Sequence, residues 1–314
     1  MQRVRLGARG PVVPRLLFGT LTMGPLQRNL PVEQGAALIC HAAAHGVDFV
    51  DTAEYYHTYP YIRAAMRTYP KLMVCTKSYA YDVDGARRSV ELAQEGIGRA
   101  YIDVFLLHEQ ESGHTLRGHR QAFEYYLRLR EEGVIGAVGI STHHVAAVRA
   151  ATRWPGMDVV FPIVNRRGLG IVDGTREEME RAVLSAHEAG LGVMAMKVLG
   201  GGHLIGAREE ALDYALRLPG VDALALGMQS QAEIDYNIAC VEGRQPDADC
   251  VRITAGAPRR LLVEDWCEGC GRCVQRCGQK ALSLRDGRAV VEDARCVRCG
   301  YCAAVCPQFC LKVV

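Results

Sequence analysis

The 314-residue chain has no apolar run near the roughly 20 residues that a membrane span requires. Its opening stretch, Met1 to Gly10, is polar and lacks the apolar centre of a secretory signal. Charge of one sign is also missing. A formal charge of +2 gives no reason to expect nucleic acid or an acidic membrane surface as a partner. There is no low-complexity tract, and no internal repeat beyond an alternation of strand-like and helix-like stretches. These absences lead us to expect a cytoplasmic protein with reduced thiols. Hydrophobic residues make up 49% and charged residues 23%, the balance of an ordinary globular protein. The length suggests one large domain and one small one.

What the chain does have is cysteine, 13 in all, with eight of them in two runs near the C-terminus. The first run is Cys267-x2-Cys270-x2-Cys273-x3-Cys277, and the second is Cys296-x2-Cys299-x2-Cys302-x3-Cys306 followed by Pro307. In this spacing three thiolates surround one 4Fe–4S cubane and the fourth goes to its neighbour. One cluster would take Cys267, Cys270, Cys273 and Cys306; the other would take Cys296, Cys299, Cys302 and Cys277. Structural zinc wants two pairs of ligands, which two three-plus-one runs fit poorly. Gly278 stands where the first run would usually have proline, without touching a ligand. Cys40, Cys75, Cys240, Cys250 and Cys310 read as reduced thiols, although Cys310 lies close to the second run. From Pro258 onward, ten Lys or Arg face six Asp or Glu. That excess would offset the negative charge of the clusters.

Ahead of the cysteines, apolar strands alternate with amphipathic helices. Strands are expected at Leu16 to Gly19, Val47 to Asp51, Leu72 to Lys77, Ile102 to His108, Ile135 to Ser141, Val159 to Asn165, Gly192 to Lys197 and Val221 to Gly227. Helices are expected at Glu33 to His45, Asp84 to Ile97, Arg117 to Glu132, Arg176 to Glu188, Glu209 to Leu218 and Gln231 to Cys240. Eight such units in about 240 residues suit a closed (β/α)8 barrel of the α/β class. Arg3 to Val13 reads as a hairpin plugging the barrel bottom. The organisation expected is a barrel over residues 1–245, a linker over 246–262, and a small α+β two-cluster ferredoxin domain over 263–314.

Chemistry in such a barrel collects at the C-terminal ends of the strands. Asp51, Tyr56, Lys77 and His108 stand there, in the settings Phe49-Val50-Asp51-Thr52-Ala53-Glu54-Tyr55-Tyr56, Val74-Cys75-Thr76-Lys77 and Phe105-Leu106-Leu107-His108. A phenol with a pKa of ~10 is a poor acid at neutral pH. An ammonium beside it would lower that value, so Lys77 is expected to activate Tyr56, with Asp51 fixing Lys77 and His108 orienting a carbonyl oxygen.

With Leu6-Gly7, Phe18-Gly19-Thr20 and Val138-Gly139-Ile140-Ser141, these residues make the chain resemble the aldo-keto reductase superfamily over essentially the whole barrel. The resemblance selects Tyr56 over Tyr55 as the proton donor, because it lies five residues past the aspartate. It also implies a small-molecule carbonyl substrate and a nicotinamide pocket involving Gly19, Thr20, Ser141, Thr142, Asn165, Lys197, Gly200, Gly201 and Gln229.

That pocket departs from the family pattern. Ser141-Thr142 replaces Ser-Asn, Phe161 stands for the carboxamide-holding Gln, and Met196-Lys197 stands for the stacking Tyr. Gln229 takes the place of the Arg expected at the 2′-phosphate, which is not a conservative change. NAD(P)H is therefore expected to bind weakly, to bind differently or to be replaced, and a flavin stays open as the group that splits electron pairs. Gly200-Gly201-Gly202 would still let a backbone approach a phosphate. His41 and His45 share a helical face but read as solvated surface, and His143 and His144 lie near the mouth of the site.

Three functions compete. The first is an iron–sulfur oxidoreductase of the aldo-keto reductase type, exchanging electrons with an external donor or acceptor protein. The second is a conventional NAD(P)H-dependent reductase with auxiliary clusters, which the altered pocket opposes. The third is a non-catalytic electron-transfer or scaffold protein, which the intact Asp51, Tyr56, Lys77 and His108 oppose.

Overall fold

The computed structural model describes residues 1–314. The chain opens with an antiparallel hairpin, β1 (Arg3–Arg5) and β2 (Val12–Pro14). Eight parallel strands then close into a barrel: β3 (Leu16–Gly19), β4 (Phe49–Asp51), β5 (Met73–Ser78), β6 (Ile102–Leu107), β7 (Ile135–Thr142), β8 (Val159–Pro162), β9 (Gly192–Ala195) and β10 (Ala223–Gly227). β10 pairs with β3 to complete the ring. The helices between them are α1 (Val32–Ala44), α2 (Tyr59–Met66), α3 (Val83–Ile97), α4 (Gly113–Gly118), α5 (Arg120–Glu131), α6 (Val145–Ala151), α7 (Arg176–Glu188), α8 (Arg208–Arg217) and α9 (Gln231–Val241). No helix is long and apolar enough to cross a membrane.

Local chemistry accounts for the boundaries. The Asp82 side chain accepts from the Gly85 amide and opens α3, while Gly98, at φ +81°, closes it in the left-handed region that a side chain would resist. Thr175 and Glu178 form a reciprocal capping box on α7. The expected helix from Arg117 to Glu132 is instead two helices meeting at His119. The hairpin plugs the barrel at the N-terminal end of the strands, where Leu6 and Val13 join Leu17, Phe49, Leu106 and Phe161 in an inner core of 13 buried residues. A larger core of 66 buried residues lies between the strands and the helices.

The segment expected as a linker, 246–262, is mostly structured: α10 (Ala248–Gly256) packs on α9, and β11 (Leu261–Val263) begins inside it. The rest of the C-terminal module holds α11 (Arg272–Arg276), the hairpin β12 (Leu282–Arg285) with β13 (Arg288–Val291), and β14 (Leu311–Val313), which pairs antiparallel with β11. Leu261, Phe309, Leu311 and Val313 belong to the same large core as the barrel helices.

Candidate active site and cluster ligands

Register places the acidic and basic groups side by side. Asp51 ends β4 opposite Cys75 of β5, and Lys77 lies two residues further on the same face of β5. The Lys77 Nζ donates to Asp51 Oδ1 at 2.6 Å and to the Thr52 carbonyl at 2.7 Å. It also sits 4.9 Å from the centre of the Tyr56 ring, which a short 3₁₀ turn (Glu54–Tyr56) carries back over the barrel. His108 meets the Tyr56 ring edge-on at 5.7 Å and stacks on Tyr79 at 4.5 Å. Its Nδ1 is buried and has no protein partner.

Burial governs the charges here. Desolvation pushes the Tyr56 phenol above its ordinary range, and the Lys77 ammonium only partly offsets this. Lys77 thus acts on Tyr56 in the expected direction, but burial outweighs it and keeps the phenol protonated. Burial pulls Lys77 down, but Asp51, Tyr56 and Cys75 outweigh it, so the ammonium is kept charged. Burial, then Lys77, His143 and Lys197, drive His108 well below 6.5, so it is neutral. His143 is lowered in the same way, by burial and by Lys197 and Lys312.

Asp51 and Tyr56 open onto a cavity that also reaches Gly19, Lys197, Gly201 and Gln229. Five of the expected cofactor residues have their polar side chains bonded within the protein. Thr20 Oγ1 donates to the Asp51 carbonyl, Ser141 Oγ accepts from the Glu109 amide, and Thr142 Oγ1 donates to the Gln110 carbonyl. Asn165 braces its own loop through the Leu169 amide and carbonyl. Gln229 bridges Arg28 and the Thr22 carbonyl. The glycine turn is contacted by the chain itself. The Val313 amide donates to the Gly201 carbonyl at 2.9 Å, and a Cβ on Gly202 would lie 1.9 Å from the Val313 oxygen. β14 thus packs against one side of the glycine turn, while Gly201 and Gly202 still line the cavity.

Several residues at this cavity were not legible as site residues. Lys312 is buried beside Phe309, and Glu264, also buried, accepts from Gln27. At the rear, Arg208 is 6% exposed and stacks on Tyr236 at 4.4 Å, with Nε and Nη1 unpartnered. Asn237 Oδ1 and Thr22 Oγ1 are likewise unpartnered, and Arg259 of the module pairs with Glu233 beside them. One signal was available: a lone lysine in the apolar run Cys310-Leu311-Lys312-Val313 marks a buried charge.

The eight cysteines of the two runs lie around two further cavities. Cys267, Cys270, Cys273 and Cys306 wall one. Cys296, Cys299, Cys302 and Cys277 wall the other. Backbone amides point at three sulfurs: Ala289 at Cys267, Ala281 at Cys277 and Cys310 at Cys306. Four thiols around each cavity, with amide donors on the sulfurs, fit two 4Fe–4S clusters. Cys310 is buried in the wall of the first cavity, its sulfur 3.3 Å from that of Cys306. His41 and His45 lie with Asp235 on the outer surface, where His41 Nε2 and Asp235 Oδ1 are 2.6 Å apart.

A closed barrel with Asp, Tyr, Lys and His at its C-terminal mouth defines the class: the chain belongs to the aldo/keto reductase family, whose pattern matches residues 15–211. Its tail, residues 261–307, matches the 4Fe-4S dicluster domain. D-threo-aldose 1-dehydrogenase of a Pseudomonas species is 24% identical over 189 residues. The match covers 49% of this chain and 57% of that protein, so the chain spans little more than half the length of that relative. Ferredoxin-3 of Rhodobacter capsulatus is 36% identical over 74 residues, 16% of this chain and 73% of that protein. Among solved structures, a Pseudomonas aeruginosa protein assigned to the aldo-keto reductases superposes with a TM-score of 0.66 at 20% identity, covering 77% of this chain and 95% of that one. The Bombyx mori aldo-keto reductase in complex with NADP gives a TM-score of 0.61 at 16% identity.

Proposed function

We propose that the chain is an oxidoreductase that reduces or oxidises a carbonyl or related polar group in the barrel mouth, using electrons that pass through its iron–sulfur module. The observation that carries this reading is β14. The strand that follows Cys306 forms a wall of the cavity onto which Asp51 and Tyr56 open, and it packs against one side of the glycine turn a nicotinamide phosphate would need. Bound at the two sets of cysteines, 4Fe–4S clusters supply electrons one at a time.

The barrel residues handle the oxygen and the proton. Neutral His108, edge-on to the Tyr56 ring, orients the carbonyl oxygen beside that phenol. Tyr56 keeps its proton until negative charge develops on that oxygen, which is then basic enough to take it. Lys77, held by Asp51, stabilises the phenolate left behind. Carbonyl to alcohol needs two electrons and two protons. Tyr56 supplies one of those protons, and the mouth of the cavity opens to solvent for the other.

A second reading, a conventional nicotinamide-dependent reductase, is favoured by the unpartnered nitrogens of Arg208 and the free Asn237 oxygen at the rear of the same cavity. Ultraviolet–visible spectra of anaerobically purified protein separate the two, because bleaching by NADPH belongs to the second reading alone. For the first, protein reduced by dithionite is assayed with small aldehydes and quinones. Tyr56→Phe is expected to lower turnover by ~10²–10⁴ with iron content unchanged. Undiminished turnover in Tyr56→Phe would remove the barrel tetrad from the mechanism.

A further inference from the structure

A groove runs between the barrel and the module, away from the site just described. It opens between the barrel loop of residues 167–172 and α11 with the second cysteine run. Three arginines line it, Arg167, Arg272 and Arg276, and no carboxylate does. All three are exposed and unpaired, whereas their neighbours Arg166 and Arg176 are matched to Glu210 and Glu177. Asp173, just beyond the groove, already accepts from the Val145 and Ala146 amides at the start of α6. The floor is apolar, with Ile171, Val305 and Pro307, and the cluster ligand Cys306 lies in its wall. The patch continues outward, because the Arg276 guanidinium lies 4.8 Å from the Tyr301 ring. Tyr301 is 50% exposed and Val297 60% exposed, and both border the cavity of Cys296, Cys299 and Cys302.

We propose that this groove docks an acidic protein that carries single electrons. The inference rests on reading the eight cysteines as cluster ligands, as set out above. Unpaired guanidinium groups around an apolar floor attract an acidic surface from a distance and repel a basic one, which governs encounter rate more than final affinity. The apolar floor and the exposed Tyr301 supply contact area that a small anion could not use. The groove brings arginines from both the barrel and the module to a wall that holds the cluster ligand Cys306. At each docking the carrier loses one electron and the chain gains it, so two dockings match the two electrons a carbonyl takes up.

The test is anaerobic binding to the full iron-loaded chain, with flavodoxin and an acidic ferredoxin as probes, cytochrome c as a basic counter-probe, and a DNA duplex. At least one acidic probe is expected to bind, with an association rate that falls as salt rises. Arg272→Glu with Arg276→Glu is expected to weaken binding roughly tenfold or more. Arg167→Glu, which lies on the barrel far from the cysteines in sequence, should act in the same direction even if the double variant loses iron. Arg87→Glu with Arg88→Glu on α3 should change nothing. Binding of neither acidic probe, indifference to salt or to Arg167→Glu, or a preference for cytochrome c or DNA overturns the dock. None of these failures touches the Tyr56→Phe assay with dithionite, which needs no carrier.

Discussion

Lys77 carries two loads, because its ammonium both neutralises the buried Asp51 and faces the phenol of Tyr56. Lys77→Met leaves a buried carboxylate without a countercharge and is expected to lower stability by about 3–5 kcal/mol. Adding Asp51→Asn should recover most of that stability in anaerobic thermal melts while leaving turnover low, which separates the structural load from the chemical one. The histidines set a second signature. His108 and His143 are held well below their ordinary 6.5, so the folded chain refuses protons that the unfolded chain accepts. Their contribution to stability is complete above pH 6.5 and is lost as pH falls toward the folded values. Melting temperature should therefore drop on acidification from pH 7 to pH 5, and less steeply in His108→Gln with His143→Gln.

Among the elements, β14 forms part of the wall of the cavity onto which Asp51 and Tyr56 open. Gly202 has φ +88° and no room for a Cβ, so Gly202→Ala should push β14 away from the turn. Hydrogen exchange at the Val313 amide is expected to accelerate in that variant. Calorimetry should then detect tighter NADPH binding than in the wild type, and unchanged exchange with unchanged affinity would count against the strand as the excluding element. Here the sequence was only partly readable. All eight barrel strands follow from apolar runs such as Ile102 to Leu107 bounded by polar residues. α2 escaped because Pro60 in its first turn and its eight residues mask any periodicity. α6, seven residues of valine, alanine and arginine, is too short to show a face. The place of β14 over Gly200-Gly201-Gly202 was not legible either. A three-glycine turn permits close approach by any backbone, and local sequence does not say whether the visitor is a phosphate or the chain itself.

The whole molecule behaves as one body rather than a barrel with an appendage. Arg259 pairs with Glu233 and Gln27 with Glu264, while Phe309, Leu311 and Val313 complete the barrel's outer core. Removing iron with a chelator under anaerobic conditions should therefore lower the melting temperature of the barrel itself, read from far-ultraviolet circular dichroism. An unchanged barrel transition would mean that the module holds its place without metal. The two cysteine runs announced the module plainly, because ligand spacing is local chemistry. Its seat on the barrel depends on contacts between residues more than 100 positions apart, such as His203 with the Leu311 carbonyl, and no periodicity records them.

The position of β14 also orders events during synthesis. Residues 311–313 leave the ribosome after the whole barrel and after both cysteine runs, yet they form a wall of the cavity onto which Asp51 and Tyr56 open. A nascent barrel thus waits with its mouth unfinished until the module has been made and seated. The last strand to be made is therefore also the one that finishes the chamber, so truncation within the final few residues would open the cavity while sparing every strand of the barrel.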